Sequence, residues 1–200
     1  MAMLQIAKNM EDKTEIQEEC IYRSDKDLRN LLFYCRNHSV SCEMYNLHPL
    51  GMECIYDQFL YLQRRRVKAV YTKALHFIIG FDTQNYEADI DIQMITTIMR
   101  SLSFWCFREY QRILFLHINK PSHWHIHYIV NPVQICDLHI CRWSFWKVAY
   151  EFAEILGGLY NIPLAPVSYQ DQHGRIVKGT ESGCGLYQQR FIRRYNLKEK

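Results

Sequence analysis

Residues 112–131, RILFLHINKPSHWHIHYIVN, constrain the fold more than any other part of the chain. They hold two short apolar runs, RILFLHI (112–118) and HWHIHYIVN (123–131), rich in β-branched and aromatic side chains. Runs of that length and composition read as strands. Only Asn119, Lys120, Pro121 and Ser122 separate them, which predicts a hairpin. A hairpin is antiparallel, so the expected class is α+β, a central antiparallel sheet flanked by helices. Successive strand residues point to opposite faces, so His123, His125 and His127 share one face of the second run. His117, at the end of the first run, comes to lie beside them.

The remainder supplies layers for this sheet. Residues 18–22 read as a first strand. Ser24 or Asp25 caps a helix, KDLRNLLFYCRN, whose Leu28, Leu31, Leu32 and Cys35 fall at helical spacing. Tyr34 sits near its C-terminal end. Residues 37–52, with Asn46, Pro49 and Gly51, read as loop. A second helix spans 53–67 and ends in Arg64, Arg65 and Arg66. LHFIIGF (75–81) is a buried strand, and 88–108 a helix with a broad apolar face. The last helix is expected from Trp143 to Gly157, stopped by Gly157 and Gly158. Two hundred residues, 48% of them hydrophobic, suit one domain with a real core. Its expected limits are 16–170, after a flexible polar N-terminus (1–15) and before a Gly-rich, then basic, extension (171–200).

Composition removes several classes. No apolar run is long enough to span a bilayer, and MAMLQIAKNMEDKTEIQEEC lacks an apolar leader, so neither membrane insertion nor secretion is expected. The eight cysteines form no CxxC pair, which reads as reduced thiols in a cytoplasmic protein. A net charge of +3 permits a nucleic-acid partner without requiring one.

The histidines carry the chemistry. A lone strand or surface histidine, such as His38, His139 or His173, is ordinarily a hydrogen-bonded structural residue. Three on one face with a fourth alongside are different, because every ring brings nitrogens that need partners. Packing alone rarely selects them, whereas a divalent ion or a phosphate does. Mg²⁺ prefers oxygen ligands, so an all-imidazole set by itself suits Mn²⁺ or Zn²⁺ better.

The ordered set of motifs resembles the relaxases, nucleases of the HUH endonuclease class that nick plasmid or integrative-element DNA for conjugative mobilisation. His125-Ile126-His127 is similar to their histidine pair flanking an apolar residue, and Tyr-Ile-Val-Asn after it to the family's continuation. His117 matches the third histidine. LHFIIGF resembles the second motif and places His76 as a possible phosphate contact or orienting residue. Tyr34 stands where several mobilisation families carry the catalytic tyrosine. The resemblance covers roughly residues 28–168. It implies a metal ion on His117, His125 and His127, with His123 as the alternate ligand, and family behaviour points to Mg²⁺ or Mn²⁺. It further implies a Tyr34 nucleophile, a 5′-phosphotyrosyl intermediate and origin-of-transfer single-stranded DNA as substrate. Relaxosome accessory proteins, a coupling protein and the cytoplasm of a bacterium complete the implied setting.

Two positions depart from the pattern. Asn119 replaces the acidic residue two places after the first histidine, and Gly80 replaces a serine in the second motif. These departures keep alive a degenerate, DNA-binding accessory protein as the alternative. A second alternative is a replication-initiator or transposase-type arrangement with Tyr150 as nucleophile, and a third is an unrelated three-histidine hydrolase. Candidate phosphate contacts are Arg64, Arg65, Arg66, Lys68, Lys73, Arg190, Arg193 and Arg194.

Overall fold

Antiparallel pairing organises the chain around the expected hairpin. The structure, a computed structural model, describes residues 2–6, 22–82, 91–120, 123–141, 145–162, 168–170 and 176–178. The hairpin consists of β4 (Tyr110–Lys120) and β5 (His123–Gln134). On its β5 side lie β3 (Leu75–Asp82) and then β1 (Ala2–Ile6), and on its β4 side lies β2 (Ser41–Tyr45). The order is β1-β3-β5-β4-β2, with every neighbouring pair antiparallel. A separate small hairpin joins β6 (Ser168–Gln170) to β7 (Ile176–Lys178).

Among the described residues, four helices cover the sheet: α1 (Asp25–Asn37), α2 (Met52–Arg64), α3 (Ile92–Phe107) and α4 (Phe145–Tyr160). Ser24 caps α1 with a capping box, its side chain accepting from the Asp27 N–H while the Asp27 carboxylate accepts from the Ser24 N–H. Asp91 caps α3 in the same way at one end, accepting from the Met94 N–H. Strand alternation sorts the core into two. Phe77, Ile79 and Phe81 of β3, Leu114 and Leu116 of β4, and Ile126, Tyr128 and Val130 of β5 pack against α3 and α4. Ile113, Phe115 and Ile129 point the other way, into Leu28, Leu31, Leu32, Ile55 and Phe59 of α1 and α2. The result is α+β, an antiparallel sheet between two helical layers.

Three elements differ from the sequence expectation, and a fourth lies mostly outside the described residues. Ala2–Ile6, expected within a flexible N-terminus, forms edge strand β1. A short apolar run suffices there because β3 presents an otherwise unpaired edge of N–H and C=O groups. The strand expected at 18–22 falls mostly outside the described residues, and Tyr22 itself is irregular. Ser41–Tyr45, expected as loop, is edge strand β2. Its Cys42 and Met44 pack against the α1–α2 core while Tyr45 packs on the opposite side. Asn46 ends it at φ 57°, its amide donating to the Arg108 and Tyr110 carbonyls. Finally, α4 runs through Gly157 and Gly158 to Tyr160. Glycine inside a helix costs only about 1 kcal/mol, and burial of Ile155, Leu156 and Ile162 outweighs it. The stop falls instead at Asn161, in the left-handed region at φ 54°.

Candidate active site

The histidines gather on the α1–α2 face of the sheet. His117 lies opposite His125 in the β4–β5 ladder, and His127 follows two residues on, so all three side chains project to one side. Ring centroids are 5.0 Å apart for His117 and His125, 4.4 Å for His117 and His127, and 5.0 Å for His125 and His127. One nitrogen from each lies within 4.8 Å of the others. His117 and His127 are buried and His125 is half-buried, so the cluster meets solvent on the His125 side. The β4–β5 pairing is irregular between His117 and Lys120, the segment that contains Asn119. Bulges of this kind recur beside active sites, where they re-aim a side chain.

Hydrogen bonds determine which nitrogens are available. His117 Nε2 is 2.7 Å from the Cys35 carbonyl, which can only accept, so Nε2 carries the proton and Nδ1 keeps its lone pair. His127 Nδ1 is 2.8 Å from His76 Nε2, while His127 Nε2 is buried with no hydrogen-bond partner. A buried ring nitrogen left unpaired is costly. A cation held by the three imidazoles satisfies it, so the donor set fits a divalent ion. Burial favours the neutral form of His76, His117 and His127. It pushes His76 down to about 3, with His117 adding repulsion, and lowers His127 and His117 as well.

A second trio, Cys35, His76 and His127, also lies within 4.8 Å. Burial pushes the Cys35 thiol up to about 12, so it stays protonated and presents no thiolate. The imidazole trio is the better site.

Helix α1 brings a tyrosine to this cluster. Tyr34 is exposed near the C-terminal end of α1, one residue before the carbonyl that orients His117. Its ring centroid is 4.9 Å from that of His38, which in turn is 6.2 Å from His117. His38 Nδ1 lies 2.9 Å from the Tyr34 carbonyl and donates to it, leaving Nε2 as a lone-pair nitrogen. Sequence reasoning passed over His38 as an ordinary surface residue; its signal was the four-residue spacing from Tyr34, which puts both on one helical face. Tyr22, also missed, reaches the cluster through a 2.7 Å contact between its hydroxyl and His76 Nδ1.

Other expected residues lie elsewhere. Tyr150 is on α4, which packs on the opposite face of the sheet, and its side chain lies outside the described residues. The His123 side chain is also outside them, although its backbone pairs with Asp82 and Lys120. Gly80 is paired with His125 across β3 and β5, so the serine it replaces would stand next to that imidazole. Arg64 and Lys73 both pair with Asp25 at the N-terminal end of α1, at 3.4 Å and 3.0 Å. Arg66 donates to the Leu138 carbonyl, and Arg65 and Lys68 are exposed. Arg64 and Lys73 therefore meet α1 about 14 Å along its axis from Tyr34, at ~1.5 Å per residue. Arg190, Arg193 and Arg194 lie outside the described residues.

Comparison with protein families matches residues 34–157 to relaxases, over the MobA/VirD2-like nuclease domain. The matched span opens on Tyr34 and includes the whole histidine cluster and strands β2 to β5 of the sheet beneath it. The chain belongs to this family. No curated protein and no solved structure gives a match. Membership in the relaxases supports DNA nicking in mobilisation and a single-stranded DNA substrate, and the family uses a divalent metal. Among the described residues, no helix is long and apolar enough to cross a membrane.

Proposed function

We propose that this relaxase nicks one strand of origin DNA with Tyr34 and remains joined to it through a 5′-phosphotyrosyl bond. The observation that carries the reading is the convergence of α1 on the histidine trio. One turn of helix supplies Tyr34, the Cys35 carbonyl that orients His117, and His38 packed between Tyr34 and His117.

In this scheme the Tyr34 oxygen attacks the scissile phosphorus, forming one P–O bond as the bond to the 3′ oxygen breaks. The tyrosine proton passes to His38 Nε2, and the departing 3′ oxygen takes up a proton to become the free hydroxyl. The new ester retains the energy of the broken one, so the reverse attack reseals the strand without a nucleotide cofactor. His117, His125 and His127 would hold a divalent ion, which when bound would supply Lewis-acid polarisation of the scissile phosphate. The three neutral rings add no negative charge, so the site presents a net positive field to the phosphate. Mg²⁺ or Mn²⁺ is the proposed ion, and the exposed Arg65 and Lys68 are proposed to hold flanking phosphates rather than the scissile one. Accessory relaxosome proteins and a coupling protein would deliver the adduct in conjugative transfer of a plasmid or integrative element.

The test is a denaturing gel with labelled single-stranded origin DNA, with Mn²⁺ and with chelator. A metal-dependent, detergent-stable adduct abolished by Tyr34→Phe is expected. Abolition only by Tyr150→Phe would transfer the nucleophile to α4. Binding without an adduct under either condition would leave a recognition protein.

A further inference from the structure

Beneath the trio lies a chain of buried polar contacts that the proposed reaction does not use. The Tyr22 hydroxyl is 2.7 Å from His76 Nδ1, and His76 Nε2 is 2.8 Å from His127 Nδ1. All three residues are buried, and the two imidazoles stack with centroids 5.0 Å apart and planes inclined by 25°. Tyr22 comes from the segment before α1 and is anchored there, its carbonyl accepting from the Lys73 N–H just before β3. His76 itself belongs to β3.

Two proton arrangements satisfy these distances. In the first, Tyr22 donates to His76 Nδ1 and His76 Nε2–H donates to His127 Nδ1. That leaves the proton of His127 on Nε2, a buried donor with no acceptor. In the second, His127 Nδ1–H donates to His76 Nε2, and His76 Nδ1–H donates to the Tyr22 oxygen. His127 Nε2 then carries a lone pair. Only the second arrangement presents a ligand to a cation.

We infer that Tyr22 and His76 are positioning residues that hold His127 in the Nδ1–H tautomer, so that Nε2 serves as the ligand of the trio. The inference rests on the metal reading above and deepens it. Metal-bound histidines ordinarily donate their other N–H to a carboxylate or a main-chain carbonyl. Here that role falls to a neutral imidazole and a phenol. Such a relay fixes the ring without adding a negative charge, which leaves the ion's charge for phosphate. His117 uses the Cys35 carbonyl to the same end, so two of the three ligands are oriented by uncharged acceptors.

The experiment titrates the full chain with Zn²⁺ by calorimetry and records the ring nitrogens of the Zn²⁺-loaded protein by ¹H–¹⁵N correlation. Unmutated protein is expected to show His127 ligated through Nε2 and protonated on Nδ1, a readout that needs no variant. Tyr22→Phe is expected to weaken Zn²⁺ binding about tenfold and His76→Phe up to about a hundredfold, the range for outer partners of metal ligands. His76→Gln, which keeps an acceptor for Nδ1–H, is expected to recover part of the loss. Ligation of His127 through Nδ1, or wild-type affinity in both Tyr22→Phe and His76→Phe, would overturn the relay. Wild-type affinity in His127→Ala would instead overturn the metal trio itself, and so separates the two failures.

Discussion

Asn131 offers a sharp test of which residues near the motif are structural. It follows the histidine pair in the family-like run and is completely buried on the α1–α2 face of β5. Its amide nitrogen donates to the Phe59 carbonyl at 3.1 Å and to Gln111 Oε1 at 2.9 Å. Its oxygen accepts from the Val133 N–H at 3.1 Å and from Gln63 Nε2 at 3.3 Å. In Asn131→Ala, the two glutamine side chains can rotate to other partners and the Phe59 carbonyl keeps its bond within α2, but the Val133 N–H loses its acceptor. A buried main-chain group left unpaired costs roughly 1–3 kcal/mol, so a loss near ~2 kcal/mol is expected. For a chain of this size that corresponds to a fall in Tm of roughly 4–8 °C, at about 2–4 °C per kcal/mol. Urea and thermal melts followed by circular dichroism measure it. Asn131 lies four strand residues from His127, about 13 Å at ~3.3 Å per residue. Metal affinity of the folded variant at low temperature should therefore stay unchanged. A loss below about 1 kcal/mol would refute the hydrogen-bond argument. Lost metal binding in a folded variant would refute the assignment of Asn131 to the scaffold.

Further expectations concern the site and its surroundings. His117→Ala and His127→Ala should each abolish metal-dependent adduct formation while His139→Ala, exposed and remote, leaves it intact; equal activity in all three would remove the trio from catalysis. His76 has its pKa lowered from 6.5 to about 3 by burial, so below pH 6.5 the unfolded chain binds a proton there that the folded chain refuses. The contribution of that neutral ring is complete above pH 6.5 and is lost as pH falls toward 3, by about 1.4 kcal/mol at one unit below 6.5. Melts in chelator at pH 7.5 and 5.5 should show the fall, and His76→Gln should lessen it; a Tm that does not move would contradict neutral burial. Charge reversal of Arg65 and Lys68 together should weaken single-stranded DNA binding and flatten its salt dependence without altering metal affinity. An unchanged salt slope would place the DNA track elsewhere.

Much of the frame was legible because local patterns and tertiary packing agreed. The β-branched runs around His117 and His127 gave the hairpin, and Ser24 with Leu28, Leu31 and Leu32 gave α1. Ser41–Tyr45 was illegible for a physical reason: a five-residue edge strand is defined by the partner it adds to, and its own alternation is too short to stand out. The glycines of α4 misled because propensity is weak against the burial of Ile155 and Leu156. At the site, strand alternation put His123, His125 and His127 on one face beside His117, and the family resemblance singled out the trio over His123. Tyr22 was illegible, since it acts through a contact made across the fold, and His38 showed only as a four-residue spacing from Tyr34 whose reach to His117 needs the fold.

These contacts make α1 the joint between stability and chemistry. Its inner face, Leu28, Leu31, Leu32 and Cys35, fixes its height above the sheet by burial. Its last turn then offers the Cys35 carbonyl to His117 and the Tyr34 and His38 rings to the same space. A cavity in the middle of α1 should therefore be felt twice. Leu32→Ala, at a fully buried position, is expected to cost about 2–5 kcal/mol. If the helix resettles toward the sheet, it should also lower the adduct yield of protein that remains folded, because Tyr34 shifts relative to a trio held by β4 and β5. Loss of stability with full adduct yield would show that the last turn is placed by the His117–Cys35 bond rather than by the packing beneath it.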